Sequence, residues 1–274
     1  MIPKLLLNIA KCKYFMALAS TANHADPCND IVDSQRAKGI ASLNDFQLPE
    51  PWNGDIINAP ILVVSSNPAF TEGELFPTLK WPDQMIADFF INRFKNREEE
   101  YSWVYKNKFI YKNCTRSRSQ PYWSSIKNRV KELINRNPIP GIDYCVTELV
   151  HCKSVSEIGV AKALPKCTKS FLKEKIEISG AKIIIAIGAH VRNYLGSTSF
   201  GTTMKYNGIP VIFLPAPNAW GKKTLHDHYY ENEIADFREI LNDPIAERSI
   251  EYSEINLPTD DEVIDFIKAQ CDHK

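Results

Sequence analysis

The chain has 274 residues, and its 33 Lys plus Arg balance its 33 Asp plus Glu. That length fits one large α/β domain or a domain with extensions, since domains commonly reach about 250 residues. A formal net charge of zero excludes a global field drawing the protein to nucleic acid or to an anionic membrane, so any such contact comes from a local patch. The apolar runs fall short of the roughly 18 to 20 residues that span a bilayer, and seven cysteines without a Cys-x-x-Cys pair argue against a secreted disulfide framework. The expectation is a soluble cytoplasmic monomer without membrane contact, nucleoid-associated if the source is bacterial.

Residues 1–45 read as an N-terminal helical arm. Leu5, Leu6 and Ile9, then Met16 and Leu18, give a short helical pattern, and an irregular stretch with His24, Pro27 and Cys28 follows. Residues 46–55 carry two prolines and a glycine, cannot be helix, and read as a surface lead-in. Ile61-Leu62-Val63-Val64 reads as a fully buried strand of a parallel sheet, ending at Ser65-Ser66-Asn67-Pro68. That ending is either a plain turn, Asn-Pro being a common turn dipeptide, or the wall of a ligand crevice at a strand's carboxyl end.

A loop over residues 71–82 leads to a helix with Met85, Ile86, Phe89, Phe90 and Phe94 at helical spacing. From Arg93 to Arg136, basic residues including Arg116 and Arg118 interleave with Tyr101, Trp103, Tyr105, Phe109, Tyr111, Tyr122 and Trp123. The pattern suits either a nucleic-acid groove with stacking platforms or a solvated helix-loop-helix with its own small core. Residues 143–150 form the next strand. A polar loop closes at Ala163, Leu164 and Pro165, and a helix capped at Thr168 runs to Ile178. Residues 181–188 form another strand, and Gly188 turns directly into the helix Ala189 to Leu195. The last core strand, Ile209 to Leu214, ends in Pro215-Ala216-Pro217-Asn218-Ala219-Trp220-Gly221-Lys222-Lys223. An amphipathic helix over residues 229–241 closes a domain spanning residues 46–243. A charged extension over residues 244–274 carries one helix, Asp260 to Gln270, with Thr259 as its N-cap. This alternation calls for an α/β fold, a three-layer α/β/α sandwich around a short central parallel sheet.

Four strand ends fall in one order: Ser66-Asn67-Pro68, Thr147-Glu148-Leu149-Val150-His151-Cys152, Ile187-Gly188-Ala189 and Leu214-Pro215-Ala216-Pro217. Their order and spacing, with the lead-in Pro49 to Asp55, resemble the uracil-DNA glycosylase superfamily over about residues 46–241. The resemblance implies hydrolysis of the N-glycosidic bond of a nucleotide flipped out of DNA, single- or double-stranded. It also implies that Asn67 positions the water, with Ser66, Pro68 and an aromatic among Phe70, Phe76 and Trp81 around the base, Phe76 first. Pro215, Pro217, Asn218, Trp220, Lys222 and Lys223, with Arg116 and Arg118, would face DNA, Trp220 as a wedge between base steps.

Two positions depart from the family. Glu148 stands at the base-reading asparagine. An ionised glutamate only accepts hydrogen bonds, which argues against uracil and leaves an amino-bearing base edge, an electrostatic role toward the sugar, or a structural ion pair. Leu214 falls on the histidine that donates to the departing base, and Ala216 on the serine after it. In the iron-sulfur branch of the family one cysteine ends the central strand and another follows, which Cys152 and Cys167 match. With Cys12 and Cys28 they complete the four thiolates a 4Fe-4S cluster takes, although the branch's close N-terminal pair is absent. Beside a glycosylase acting on a base other than uracil stands a second reading, a nucleic-acid or nucleotide binding module that has lost catalysis.

Overall fold

A computed structural model describes residues 2–221, 223–243 and 256–271. Its centre is a five-stranded sheet of β1 (Ile61–Ser65), β4 (Tyr144–Glu148), β5 (Ile183–Ile187), β6 (Thr203–Tyr206) and β7 (Ile209–Leu214), in the order β4-β1-β5-β7-β6. The first four strands of that order run parallel, and β6 pairs antiparallel with β7 at the edge. A two-stranded hairpin, β2 (Val104–Tyr105) and β3 (Lys108–Phe109), stands apart.

Strand side chains alternate between two cores, as the two-residue period of a pleated strand requires. Leu62, Val64, Cys145, Ile184, Ala186, Val211 and Phe213 face one. Ile61, Val63, Tyr144, Val146, Ile183, Ile185, Ile187, Ile212 and Leu214 face the other. The first core receives α1 (Ile2–Ala10), α2 (Lys13–Ser20), α3 (Asn29–Arg36), α4 (Asp83–Ile91), α6 (Val160–Ile178), α7 (Ala189–Tyr194) and α9 (Asp260–Cys271). The second receives α5 (Pro121–Ile134) and α8 (Glu231–Asn242). Helices therefore cover both faces of a mostly parallel sheet, and no helix among the described residues is long and apolar enough to cross a membrane.

Three local expectations are corrected. Residues 46–54 are buried, not a surface lead-in: Asn53 exchanges backbone hydrogen bonds with Val146, and Glu50 N donates to His151 O at 2.8 Å. This segment covers the open edge of β4, supplying partners to a strand that would otherwise expose unpaired backbone. The stretch after α2 is not all irregular, since α3 forms with Ile31 and Val32 fully buried. Helix α6 begins at Val160 and carries Pro165 inside it. Proline removes one backbone donor in the first turns, and Thr168, far from capping, donates its hydroxyl back to Leu164 O at 2.7 Å. Cys114 and Cys271 form a disulfide with a Cα separation of 5.7 Å, tying the loop after β3 to α9.

Helix α9 does carry the expected cap: Glu262 N donates to Thr259 Oγ1 at 3.3 Å, and Thr259 N donates to the Glu262 carboxylate at 2.7 Å. Its Phe266 ring packs on Trp81 with centroids 4.9 Å apart. The rest of the charged extension, residues 244–255 and 272–274, lies outside the described residues.

Candidate functional site

In the strand order β4-β1-β5-β7, the chain leaves β1 toward β4 and later crosses to β5 on the other side, so loops at these carboxyl ends diverge and open a crevice. A cleft of about 710 Å³ lies there. It is lined by Ser65 to Ala69 after β1, Glu148 at the end of β4, Ile187 to His190 after β5 and Ala216 to Asn218 after β7, while Tyr122 and Trp123 of α5 and Phe109 of β3 supply aromatic surface. Gly188 makes the turn into α7 at φ +90°, a conformation that disfavours side-chain-bearing residues.

Asn67 is held in place from two sides. Its Nδ2 donates to Ser154 Oγ at 2.8 Å and to the carbonyl of Pro68 at 2.9 Å. Ser154 is itself fixed by its N–H to Pro68 O and by its carbonyl accepting from Phe70 N. With both amide hydrogens used, Asn67 Oδ1 has no hydrogen-bond partner among the described residues and remains an acceptor at the cleft wall. Ser66 Oγ donates to Glu157 Oε1 at 2.8 Å across the same rim.

Below lies a buried charge network. Arg93, 3 % exposed, donates to Glu50 at 3.0 Å, Asn53 at 2.9 Å and Glu74 at 2.8 Å. Lys153 donates to the other oxygen of Glu74 at 2.8 Å. Burial pushes the Glu50 carboxyl up, but Arg93 and Lys153 outweigh it and hold the group below its ordinary value of 4.5. Glu148 is different. It is 2 % exposed, its Oε2 is buried without a hydrogen bond, and it forms no ion pair among the described residues. Burial and then the neighbouring Glu50 charge raise it well above 4.5. Lys175 donates to Thr147 Oγ1 at 2.9 Å and to the backbone carbonyl of Glu148 at 2.7 Å, and burial lowers its amine to about 8.

Of the residues singled out in the sequence, Asn67, Ser66, Pro68, Glu148, Pro217 and Asn218 meet in the cleft. Phe76 and Phe70 are not on its wall. Phe76 is 1 % exposed, packed on Phe89 and Phe90, with Lys153 Nζ 3.7 Å above its ring, so it supports the charge network from beneath. The aromatic surface comes instead from Phe109, Tyr122 and Trp123, all within the basic and aromatic stretch. Pro215 is buried, Trp220 and Lys223 are exposed, and Lys222 lies outside the described residues. Arg118 is exposed, while Arg116 donates to the Glu99 carbonyl. Leu214 is fully buried in the second core, and Ala216, with Pro217 and Asn218 after it, borders the cleft. A histidine at 216 would border the cleft, whose wall already carries His190 on the turn into α7.

Cys12, Cys28, Cys152 and Cys167, far apart in sequence, line one small enclosed space of about 20 Å³ together with His151. Burial raises the thiols, Cys28 to about 12, Cys167 to about 11 and Cys152 well above 9.0, and nearby thiols add to it at Cys28 and Cys152. The His151 backbone N–H acts on the Cys167 sulfur in the opposite direction. No group of three or more His, Cys, Asp or Glu side chains among the described residues stands in a ready metal-binding arrangement. The set matches a four-iron cluster in donor number and chemistry alone.

No protein-family model matches the chain, and no curated protein matches its sequence.

Proposed function

We propose that this protein is a uracil-DNA glycosylase-like base-excision enzyme, a hydrolase that takes a flipped-out base from DNA into the cleft at the ends of β1, β4, β5 and β7. The observation that carries the reading is Asn67: both amide hydrogens are fixed by Ser154 and Pro68, which leaves an uncommitted amide oxygen on a residue that lines a cleft large enough for a nucleotide. Breaking the glycosidic bond generates oxocarbenium character at the sugar and negative charge on the departing base. An amide oxygen orients a water by accepting one of its hydrogens without abstracting a proton in the ground state. Phe109, Tyr122 and Trp123 give the base an apolar face. The fully exposed Trp220 stands on the loop after β7, two residues beyond the cleft-lining Asn218, and would fill the gap a flipped nucleotide leaves in the stack.

Cys12, Cys28, Cys152 and Cys167 would hold a 4Fe-4S cluster, whose contribution is to cross-link the segments that carry its four thiolates. Cys12 and Cys28 immediately precede α2 and α3, Cys152 follows β4, and Cys167 lies in α6. The loop so pinned includes Lys153 and Ser154, the residues that hold Glu74 and Asn67.

The test is incubation of the pure protein with oligonucleotides carrying a panel of normal and damaged bases, scored for abasic sites. Product on at least one base, abolished in Asn67→Ala, supports the reading, and no product on any base defeats it. The cleft-facing Ala216 favours a second reading, a binding module with catalysis lost, because it offers the departing base no donor. That reading predicts binding to DNA that falls steeply with ionic strength and no abasic product.

A further inference from the structure

Resting on that reading of the cleft, we infer that Glu148 reads its ligand as a neutral carboxylic acid, one oxygen donating and the other accepting, and thereby selects a base edge that sets one acceptor beside one donor. The carboxyl is 2 % exposed at the cleft wall, and its buried Oε2 has no hydrogen bond. Lys175, Arg93 and Lys153 lie near enough to draw the carboxyl down, against burial and Glu50, but their hydrogen bonds go to other groups. Arg93, after α4, serves Glu50, Asn53 and Glu74; Lys153, after β4, serves Glu74; Lys175, from α6, serves Thr147 and the Glu148 backbone.

Glu157 and His190 stand on the wall of the same cleft, and three further titratable groups near Glu148 add no positive charge. Glu50, from the segment along β4, is an anion, while Tyr122 of α5 and Cys145 of β4 are held neutral by burial. An unpaired carboxylate in such a place carries a desolvation penalty that protonation removes.

Protonation changes what the residue recognises. An ionised glutamate offers two acceptors and matches an edge with two adjacent donors, such as the N1–H and N2 amino group of guanine. A neutral carboxyl offers one donor and one acceptor, as an asparagine amide does. It matches the O4 and N3–H of uracil, the corresponding edge of hypoxanthine, and the amino and ring-nitrogen edges of cytosine and adenine. The objection to a uracil-type edge that follows from an ionised Glu148 is thereby removed.

The inference is tested on the full chain labelled with carbon-13 at glutamate side-chain carboxyls and titrated by NMR, Glu148→Gln identifying the resonance. Titrations are run free and with a single-stranded oligonucleotide carrying one 2′-fluoroarabino-uridine, whose glycosidic bond resists cleavage. The Glu148 signal is expected to stay at its protonated position through the region near 4.5 where ordinary glutamates ionise. Affinity for the probe is expected to fall roughly five- to 150-fold as pH rises through the point where that signal moves, the loss from placing a carboxylate lone pair against a carbonyl. In Glu148→Gln that decrease disappears.

A Glu148 signal already ionised at neutral pH overturns the inference. So does a Gln variant with the wild-type pH profile. A neutral Glu148 whose resonance no oligonucleotide moves at any pH defeats the base-cleft reading, and the edge assignment with it. Should Glu148→Gln fail to fold, an infrared band of a neutral carboxylic acid at pH 7 in the wild type supports the protonation assignment, and its absence overturns it.

Discussion

Replacing Arg93 with methionine removes the hub of the charge network while keeping a long apolar side chain. Arg93 holds Glu50 at 3.0 Å, Asn53 at 2.9 Å and Glu74 at 2.8 Å, and its guanidinium lies 4.8 Å from the Phe89 ring centroid. Removing one partner of a buried ion pair costs about 3 to 5 kcal/mol. Glu74 keeps Lys153 at 2.8 Å, so Glu50 is the carboxylate stranded, with the Asn53 amide as its remaining donor. The expected loss is therefore near the lower end, about 3 kcal/mol at pH 7, with the lost ring contacts adding roughly 0.5 to 1 kcal/mol.

The pH dependence follows from Glu50. Its folded value is depressed below 4.5, so the stabilisation it contributes is fully present above about 4.5 and is lost as pH falls through the folded value. In the methionine variant burial acts with less opposition and raises that carboxyl, so acid relieves the variant while it weakens the wild type. Denaturant unfolding at pH 7 and at successively lower pH should show a gap that narrows on acidification. The double variant Arg93→Met with Glu50→Gln should recover part of the pH 7 loss. A gap below 1 kcal/mol at pH 7, or one that does not change with pH, refutes the reasoning.

Trp220→Ala should leave the unfolding midpoint unchanged, because the ring is fully exposed, while weakening binding to duplex DNA more than to single-stranded DNA; equal losses on both would remove the wedge role. Ala216→His places an imidazole at the cleft wall beside Gly188 and should raise excision roughly 10²-fold or more where any is detectable, as added general-acid or hydrogen-bond assistance does, measured as single-turnover rate. Cys167→Ser should abolish visible charge-transfer absorbance of protein purified without air and lower its melting temperature. Colourless wild-type protein with no bound iron would reject the cluster.

The four core strands were legible because each is a run of apolar or β-branched residues buried on both faces, and buried runs need no alternation to declare themselves. Edge strand β6, Thr203-Met204-Lys205-Tyr206, was not, since half of its side chains are exposed and its apolar signal is weak. The start of α6 hid behind Pro165, a residue that usually ends helices but is tolerated near this one's first turns. Asn67 and Glu148 could be placed because they sit at strand ends. Phe76 could not be separated from Tyr122 and Trp123, because which aromatic faces a cleft depends on how distant elements pack. Leu214 lies on the same face as Ile212, one strand period away, and so turns into the core, leaving Ala216 beyond the strand end to face the cleft. The neutral state of Glu148 is a property of its neighbours, and no residue adjacent in sequence announces it.

The central claim is that Asn67 places a water for glycosidic bond hydrolysis, and the direct measurement is the single-turnover excision rate of wild type against Asn67→Ala on the base that the panel identifies. The account predicts a fall of roughly 10²- to 10⁴-fold with DNA affinity retained, the scale of losing a positioned catalytic group. Equal rates for the two proteins would contradict it.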